Sequence, residues 1–98
     1  MKAVWNDHII AESDDTLSIE GNHYFPPQSL RRQYFTDGAA QSLCYWKGMA
    51  SYYDVSAGSQ RSVGAAWYYP TPTRLSKKIV GKDFSGYVAF WKDIKVIF

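Results

Sequence analysis

The chain has 98 residues, of which 46% are hydrophobic and 20% charged, and its formal net charge is +2. This length suits one compact domain over residues 1–98, and the near-average composition excludes a disordered or fibrous chain. The basic residues form no block of five or more, and no apolar run is long enough for a signal sequence or a membrane span. We therefore expect a cytoplasmic protein that binds neither nucleic acid nor membrane, with its oligomeric state left open.

Short apolar stretches with period-two alternation, separated by turn residues, recur along the chain. They predict a mainly β domain of antiparallel strands with one or two short helices. The first stretch predicts a hairpin that turns at Asn6 and Asp7, followed by a third strand over residues 17–20 that completes a meander. Residues 27–34 suit a short helix because proline is favoured in a first helical turn. The segment TDGAAQS, residues 36–42, predicts a loop.

The second half of the chain continues the β pattern. Residues 50–55 and 64–70 predict two strands whose successive side chains point to opposite faces, so that Tyr52 and Tyr53 diverge. Residues 73–81 predict a short surface helix. The last segment, GYVAFW-KD-IKVIF, predicts a terminal hairpin that turns at Lys92 and Asp93.

The residues that could carry metal or nucleophilic chemistry are few. Cys44, His8 and His23 are too few and too scattered for a structural zinc site, so we expect neither a metal nor a cofactor. The Glu12-Ser13-Asp14 segment resembles an acid-x-acid magnesium motif, but no glycine-rich loop precedes it, which favours an acidic turn.

The only cysteine, Cys44, excludes an internal disulfide and fits a reducing compartment. A free cysteine is more often a small packed side chain than a nucleophile. The alternative is a cysteine-dependent enzyme, in which Lys47 or His23 would lower the thiol pKa.

Aromatic residues make up 17% of the chain, and many of them are adjacent in sequence. Because neighbouring strand residues face opposite ways, each aromatic pair sends one ring inward and one outward. Outward rings that converge would line an amphipathic pocket, whereas rings that do not converge would form cross-strand pairs on a sheet surface. The sequence leaves both arrangements open.

Five segments, WNDHIIAESDDT, EGNHYFPP, CYWKGMASYYDV, AAWYYPTP and GYVAFWKDIKV, occur in the order found in a bacterial and fungal family called domain of unknown function 427, which the chain resembles over essentially its whole length. The resemblance implies a β-tent-like fold, related in architecture to domains that bind small heterocycles in a cage of tryptophans. Many β-tent proteins carry a four-cysteine zinc site, which we expect to be absent here because the chain has a single cysteine. One departure is Tyr45, where relatives commonly have proline. A nucleotidyltransferase label attached to the family finds no support in the acidic residues.

Our leading hypothesis is that the protein binds a small, partly aromatic ligand in an aromatic-lined pocket. The expected ligand-binding residues are Glu20, Asn22, Tyr24, Trp46, Lys47, Tyr53, Trp67 and Tyr69. Trp46 and Trp67 would stack on the ligand, the tyrosines would offer hydroxyl groups, and Lys47 or Glu20 would complement its charge. A third interpretation, besides the Cys44 enzyme, is a protein–protein interaction module that uses an unpaired edge strand.

Overall fold

Antiparallel strands make up most of the chain, and the computed structural model describes all of residues 1–98. The elements are β1 (Lys2–Trp5), β2 (His8–Glu12), β3 (Leu17–Ile19), β4 (Asn22–Tyr24), two 3-10 turns (Pro27–Ser29 and Arg32–Tyr34), β5 (Phe35–Cys44), β6 (Gly48–Ala57), β7 (Gln60–Tyr68), α1 (Arg74–Val80), β8 (Val88–Phe90) and β9 (Lys95–Ile97). The predicted mainly β class is confirmed. No helix is long and apolar enough to cross a membrane.

The strands form three antiparallel sheets. The largest has the order β5-β6-β7-β8, a second has the order β2-β1-β9, and β3 pairs with β4 alone. Two backbone hydrogen bonds between Phe25 and Val88, at 2.7 and 2.8 Å, join the end of β4 to β8. An isolated bridge between Ala11 and Leu30 ties β2 to the segment that leads into β5.

The four-stranded sheet separates two apolar clusters. Across β7 and β8, Trp67 lies opposite Ala89, while the flanking pairs are Ala66 with Phe90 and Tyr68 with Val88. Because adjacent residues alternate between faces, the flanking pairs join a cluster of 14 buried residues on one face. Trp67 and Ala89 lie on the other face, with a cluster of six buried residues. This smaller cluster borders the candidate site.

A buried carboxylate fixes the irregular part of the β6-β7 pairing. Asp54 is 4% exposed, and it accepts hydrogen bonds from the Gly64 backbone N–H at 2.8 Å and from the Arg61 guanidinium at 2.6 Å. The strand register shifts here, between Tyr53 and Val55. The hydrogen bond from Gly64, together with Arg61, lowers the pKa of Asp54 against the opposing effect of burial.

Several predicted elements are confirmed. The first hairpin turns at Asn6 and Asp7, whose φ values of 48° and 63° give a tight turn. The helix α1 begins after Thr73, whose side-chain oxygen accepts from the Ser76 N–H, and it ends at Gly81 with φ of 88°. By contrast, residues 27–34 form two separate 3-10 turns and not the single short helix that their sequence predicts.

Three local predictions are wrong because long-range pairing decides them. The strand β3 pairs with β4 and not with β2, so there is no meander. Residues 36–42 lie within β5, which continues along β6 after a register shift between Asp37 and Gln41. The terminal segments do not form a hairpin, because β8 pairs with β7 and β9 pairs with β1.

Candidate functional site

An open cavity of about 230 Å³ lies on the sheet face that carries the smaller cluster. Strands β4, β6 and β7 contribute to its walls, together with the β5-β6 turn and the residues that follow β7 and β8. We call it the aromatic cavity, because five of its seven lining residues are tyrosine or tryptophan. They are Asn22, Tyr24, Lys47, Tyr52, Trp67, Tyr69 and Trp91.

Trp67 occupies the centre of the aromatic wall. Its indole Nε1–H donates a hydrogen bond to the Tyr24 hydroxyl at 3.1 Å, and the two rings meet edge to face with centroids 6.2 Å apart. On the other side, the Trp91 ring also meets Trp67 edge to face, at 5.8 Å. Trp91 is itself held by a hydrogen bond of 2.6 Å from its Nε1–H to the Gly64 carbonyl, yet it remains 48% exposed. Hydrogen bonds and ring contacts therefore hold the aromatic side chains in position, while part of their ring surface remains open to a ligand.

Lys47 brings a buried positive charge to the cavity. The residue is 6% exposed, and its Nζ donates to the Glu20 carboxylate. The same ammonium lies over the Trp46 ring at 5.3 Å and over the Tyr69 ring at 5.1 Å. Burial is the largest single effect and would lower the pKa of Lys47, but the hydrogen bond to Glu20 and the charge interactions with Tyr24, Tyr69 and Glu20 together outweigh it, so the pKa is raised. Lys47 is thus a fixed cation at neutral pH and not a free amine nucleophile.

Hydrogen bonds from Thr73 fix the β5-β6 turn that carries Lys47. The Thr73 N–H donates to the Lys47 carbonyl at 3.1 Å, and the Thr73 hydroxyl donates to the Trp46 carbonyl at 2.5 Å. Gly48 follows with φ of 110°, and a Cβ at this position would lie 3.3 Å from the Thr71 carbonyl oxygen. The turn therefore packs closely against the chain that leads into α1, which leaves Lys47 little freedom to move.

Two cavity tyrosines remain protonated well above neutral pH. Burial raises the pKa of Tyr69 to about 12, although Lys47 opposes the shift. Burial also raises the pKa of Tyr24, against the opposing hydrogen bond from Trp67. Both side chains therefore present neutral hydroxyl groups, which donate and accept hydrogen bonds.

The structure brings most of the predicted ligand-binding residues together. Five of them line the cavity: Asn22, Tyr24, Lys47, Trp67 and Tyr69. Glu20, on the turn between β3 and β4, does not line the cavity but is the carboxylate partner of Lys47. Trp46 does not line the cavity, but its ring lies against the Lys47 ammonium.

Tyr53 is not part of this arrangement. Its ring stacks on Tyr68 with centroids 4.5 Å apart and packs against Phe35, on the face that carries the larger cluster. Strand alternation is the reason, since Tyr52 and not Tyr53 lies opposite Trp67.

Tyr52 and Trp91 line the cavity but were not among the expected site residues. The alternation of β6 predicts that Tyr52 and Tyr53 face opposite ways, and the pairing of Tyr52 with Trp67 decides which of the two lines the cavity. Trp91 reaches the cavity from a segment 24 residues beyond Trp67 in the sequence. No local pattern indicates that position.

The groups considered for catalysis each have structural partners. Cys44 packs against the smaller cluster, while the two groups expected to activate it have other contacts: Lys47 bonds to Glu20, and the His23 ring meets the Phe98 ring edge to face at 6.4 Å. Glu12 pairs with Lys2 and Arg31 at 3.9 and 3.7 Å. No three His, Cys, Asp or Glu side chains come together as a metal-ligand group.

These features define a small antiparallel β protein with an aromatic cavity and a buried lysine at its edge. The sequence model of the family described as "Domain of unknown function (DUF427)" matches residues 1–97. The chain therefore belongs to this family, as its motifs indicated. None of the curated proteins compared with the chain matches it.

Proposed function

We propose that the protein binds a small, partly aromatic molecule in the aromatic cavity. The observation that carries this proposal is the convergence of tyrosine and tryptophan rings with one buried ammonium on a single cavity of about 230 Å³. Binding sites for small molecules are typically concave and apolar, with a few convergent polar groups. The single free cysteine fits a reducing compartment, so we place this activity in the cytoplasm.

The walls favour a flat, apolar ring over a flexible polar molecule. Trp67 and Tyr52 are only partly buried, and Trp91 is 48% exposed. These rings are fixed by protein contacts but are not covered by other side chains. A planar ligand would bury the uncovered ring surface, which is favourable through both the hydrophobic effect and ring stacking.

The test compares two aromatic substitutions on opposite faces of the same sheet. Indole, benzoate and benzamide serve as probes, and saturation-transfer NMR detects their binding to the wild-type protein. Trp67→Phe keeps an aromatic ring but loses the hydrogen bond to Tyr24, and we expect it to weaken probe binding by about threefold to tenfold. The matched control is Tyr53→Phe, which lies on the other face and should retain wild-type affinity.

Two results would contradict the proposal. If no probe binds the wild-type protein at millimolar concentration, the cavity is not a site for small aromatic molecules. If the two variants lose affinity equally while both remain folded by circular dichroism, the probes bind somewhere other than the aromatic cavity.

A second candidate is an interaction module, favoured by the exposed edge of the largest sheet. The strand β5 has a partner on one side only, and three apolar residues beside its end are exposed: Leu43 at 72%, Tyr45 at 94% and Met49 at 44%. Such an edge can pair with a strand of another chain. Light scattering over a range of concentrations tests self-association; a mass that stays monomeric at every concentration would count against self-pairing through β5.

A further inference from the structure

The aromatic cavity has an electrostatic preference that follows from its lining. Lys47 is the only charged side chain among the seven lining residues, and no carboxylate faces the cavity. A cationic ligand would meet the Lys47 ammonium on a wall that offers no carboxylate of its own, because Glu20, the partner of Lys47, is not among the lining residues. An anionic ligand would form a charge-assisted hydrogen bond with it in a partly desolvated site, where such bonds are strongest.

The neighbouring polar groups add hydrogen-bond donors. The Tyr24 oxygen already accepts from the Trp67 indole, so its hydroxyl proton is left to donate. The neutral Tyr69 hydroxyl is a further donor beside Lys47. The Asn22 side chain, which also lines the cavity, makes no hydrogen bond within the protein. A donor-rich wall suits a ligand that carries acceptors, as a carboxylate does.

The present partner of Lys47 is the more replaceable member of the ion pair. The Glu20 side chain is 53% exposed, whereas that of Lys47 is 7% exposed. Glu20 lies on the short turn between β3 and β4, and its carboxylate bonds to nothing except Lys47. Release of Glu20 returns a half-solvated carboxylate to water at little cost, but the buried ammonium then requires another anion.

The volume and the charge limit the ligand further. A cavity of about 230 Å³ is below the usual range for drug-sized ligands, about 300–1,000 Å³, and suits a single ring system. One ammonium balances one negative charge, so a polyphosphate would remain largely uncompensated.

We propose that the aromatic cavity binds small aromatic monocarboxylates, with the ligand carboxylate on the Lys47 ammonium in place of Glu20. This inference rests on the proposed function and names the ligand class for that site. The aromatic ring would lie against Trp67 and Trp91. Glu20 would then act as an internal competitor that occupies Lys47 whenever the cavity is empty.

The experiment compares benzoate with benzamide, which has nearly the same shape but no charge. Isothermal titration calorimetry measures both affinities for the wild-type protein, Glu20→Gln and Lys47→Met. We expect the wild-type protein to prefer benzoate. Glu20→Gln should raise the benzoate-to-benzamide affinity ratio by about threefold to tenfold, because the competing carboxylate is gone. Lys47→Met should abolish the preference.

The outcomes separate this inference from the proposed function. Equal affinity of the wild-type protein for benzoate and benzamide overturns the inference but leaves aromatic binding intact. No binding of either probe overturns both. A lower benzoate-to-benzamide ratio in Glu20→Gln than in wild type also overturns the inference, because Glu20 would then assist the anion instead of competing with it.

A measurement on the wild-type protein keeps the test independent of variant folding. Carbon-13 labelling of glutamate side chains resolves the Glu20 carboxylate by NMR. Saturation with benzoate should move this signal to the position of a solvated glutamate, while benzamide should leave it near its starting position. A Glu20 signal that benzoate does not move would show that the ion pair stays closed, which contradicts displacement.

Discussion

The ion pair between Lys47 and Glu20 predicts an asymmetric response to mutation. Glu20→Gln removes the negative charge from a half-exposed side chain but leaves an ammonium that is 6% exposed without a counterion. A buried polar group that loses its partner typically destabilises a protein by about 1–3 kcal/mol, and a buried charge by more. Gln retains a carbonyl acceptor, so we expect a loss of about 1–2 kcal/mol in the free energy of unfolding.

The opposite substitution should cost less. Lys47→Met removes the buried charge, fills much of the same volume, and leaves Glu20 free in solvent, so its effect should be below about 1 kcal/mol. The double variant should be as stable as Lys47→Met alone, since the second substitution then acts on an exposed and unpaired carboxylate.

Urea unfolding followed by circular dichroism measures all four proteins at neutral pH. The midpoints should change while the slope stays constant, which identifies a change in stability and not in the surface exposed on unfolding. The reasoning is refuted if Glu20→Gln is no less stable than Lys47→Met. It is also refuted if the two single effects add in the double variant, because additivity would mean that the two side chains do not interact.

Three further predictions concern pH and the sheet. Because burial raises the pKa of Tyr69 to about 12 and also that of Tyr24, the folded protein holds protons that the unfolded chain releases near pH 10. The free energy of unfolding should therefore fall as pH rises from about 10 to about 12, and the raised pKa of Lys47 acts in the same direction. Tyrosinate absorbance should show tyrosines that ionise above pH 10 in the folded protein. Ionisation of all tyrosines near pH 10 would contradict this prediction. Asp54→Asn should lower the free energy of unfolding by about 1–3 kcal/mol, as measured by urea unfolding. Because the pKa of Asp54 is lowered in the folded protein, the stability difference between wild type and variant should shrink as pH falls below about 4. A difference that grows in acid would contradict this prediction. Gly38→Ala would place a Cβ 2.9 Å from the Tyr52 carbonyl oxygen, and it should lower the free energy of unfolding in urea by about 1–3 kcal/mol. Ala39→Ser, at the exposed neighbouring position, should change stability little. Equal effects of the two substitutions would argue against a close approach at Gly38.

Local features of the fold were predictable, and long-range pairing was not. The Asn6-Asp7 turn and the Thr73-to-Gly81 helix each depend on residues adjacent in the sequence, so turn and capping signals were sufficient. By contrast, β9 pairs with β1 across nearly the whole chain, and no local pattern distinguishes that pairing from a hairpin with β8. Asp37 and Gly38 predict a loop over residues 36–42, whereas pairing with β6 holds this segment extended around a register shift.

The candidate site follows the same division. Glu20, Asn22 and Tyr24 lie within one short segment, and Lys47, Trp67 and Tyr69 lie in motifs of the family, so all six could be nominated from the sequence. Assigning them to one cavity required the register that sets Tyr52 opposite Trp67 and turns Tyr53 away. Trp91 could not be nominated, because its position depends on how the chain leaves β8.

The most direct test of the account is to follow the four indole N–H signals by NMR while benzoate is added. Trp67 and Trp91 line the cavity, whereas Trp5 is buried in the larger cluster and serves as an internal control. The account predicts saturable shifts for Trp67 and Trp91 and none for Trp5. Signals that all stay in place, or a Trp5 shift as large as the other two, would contradict binding in the aromatic cavity.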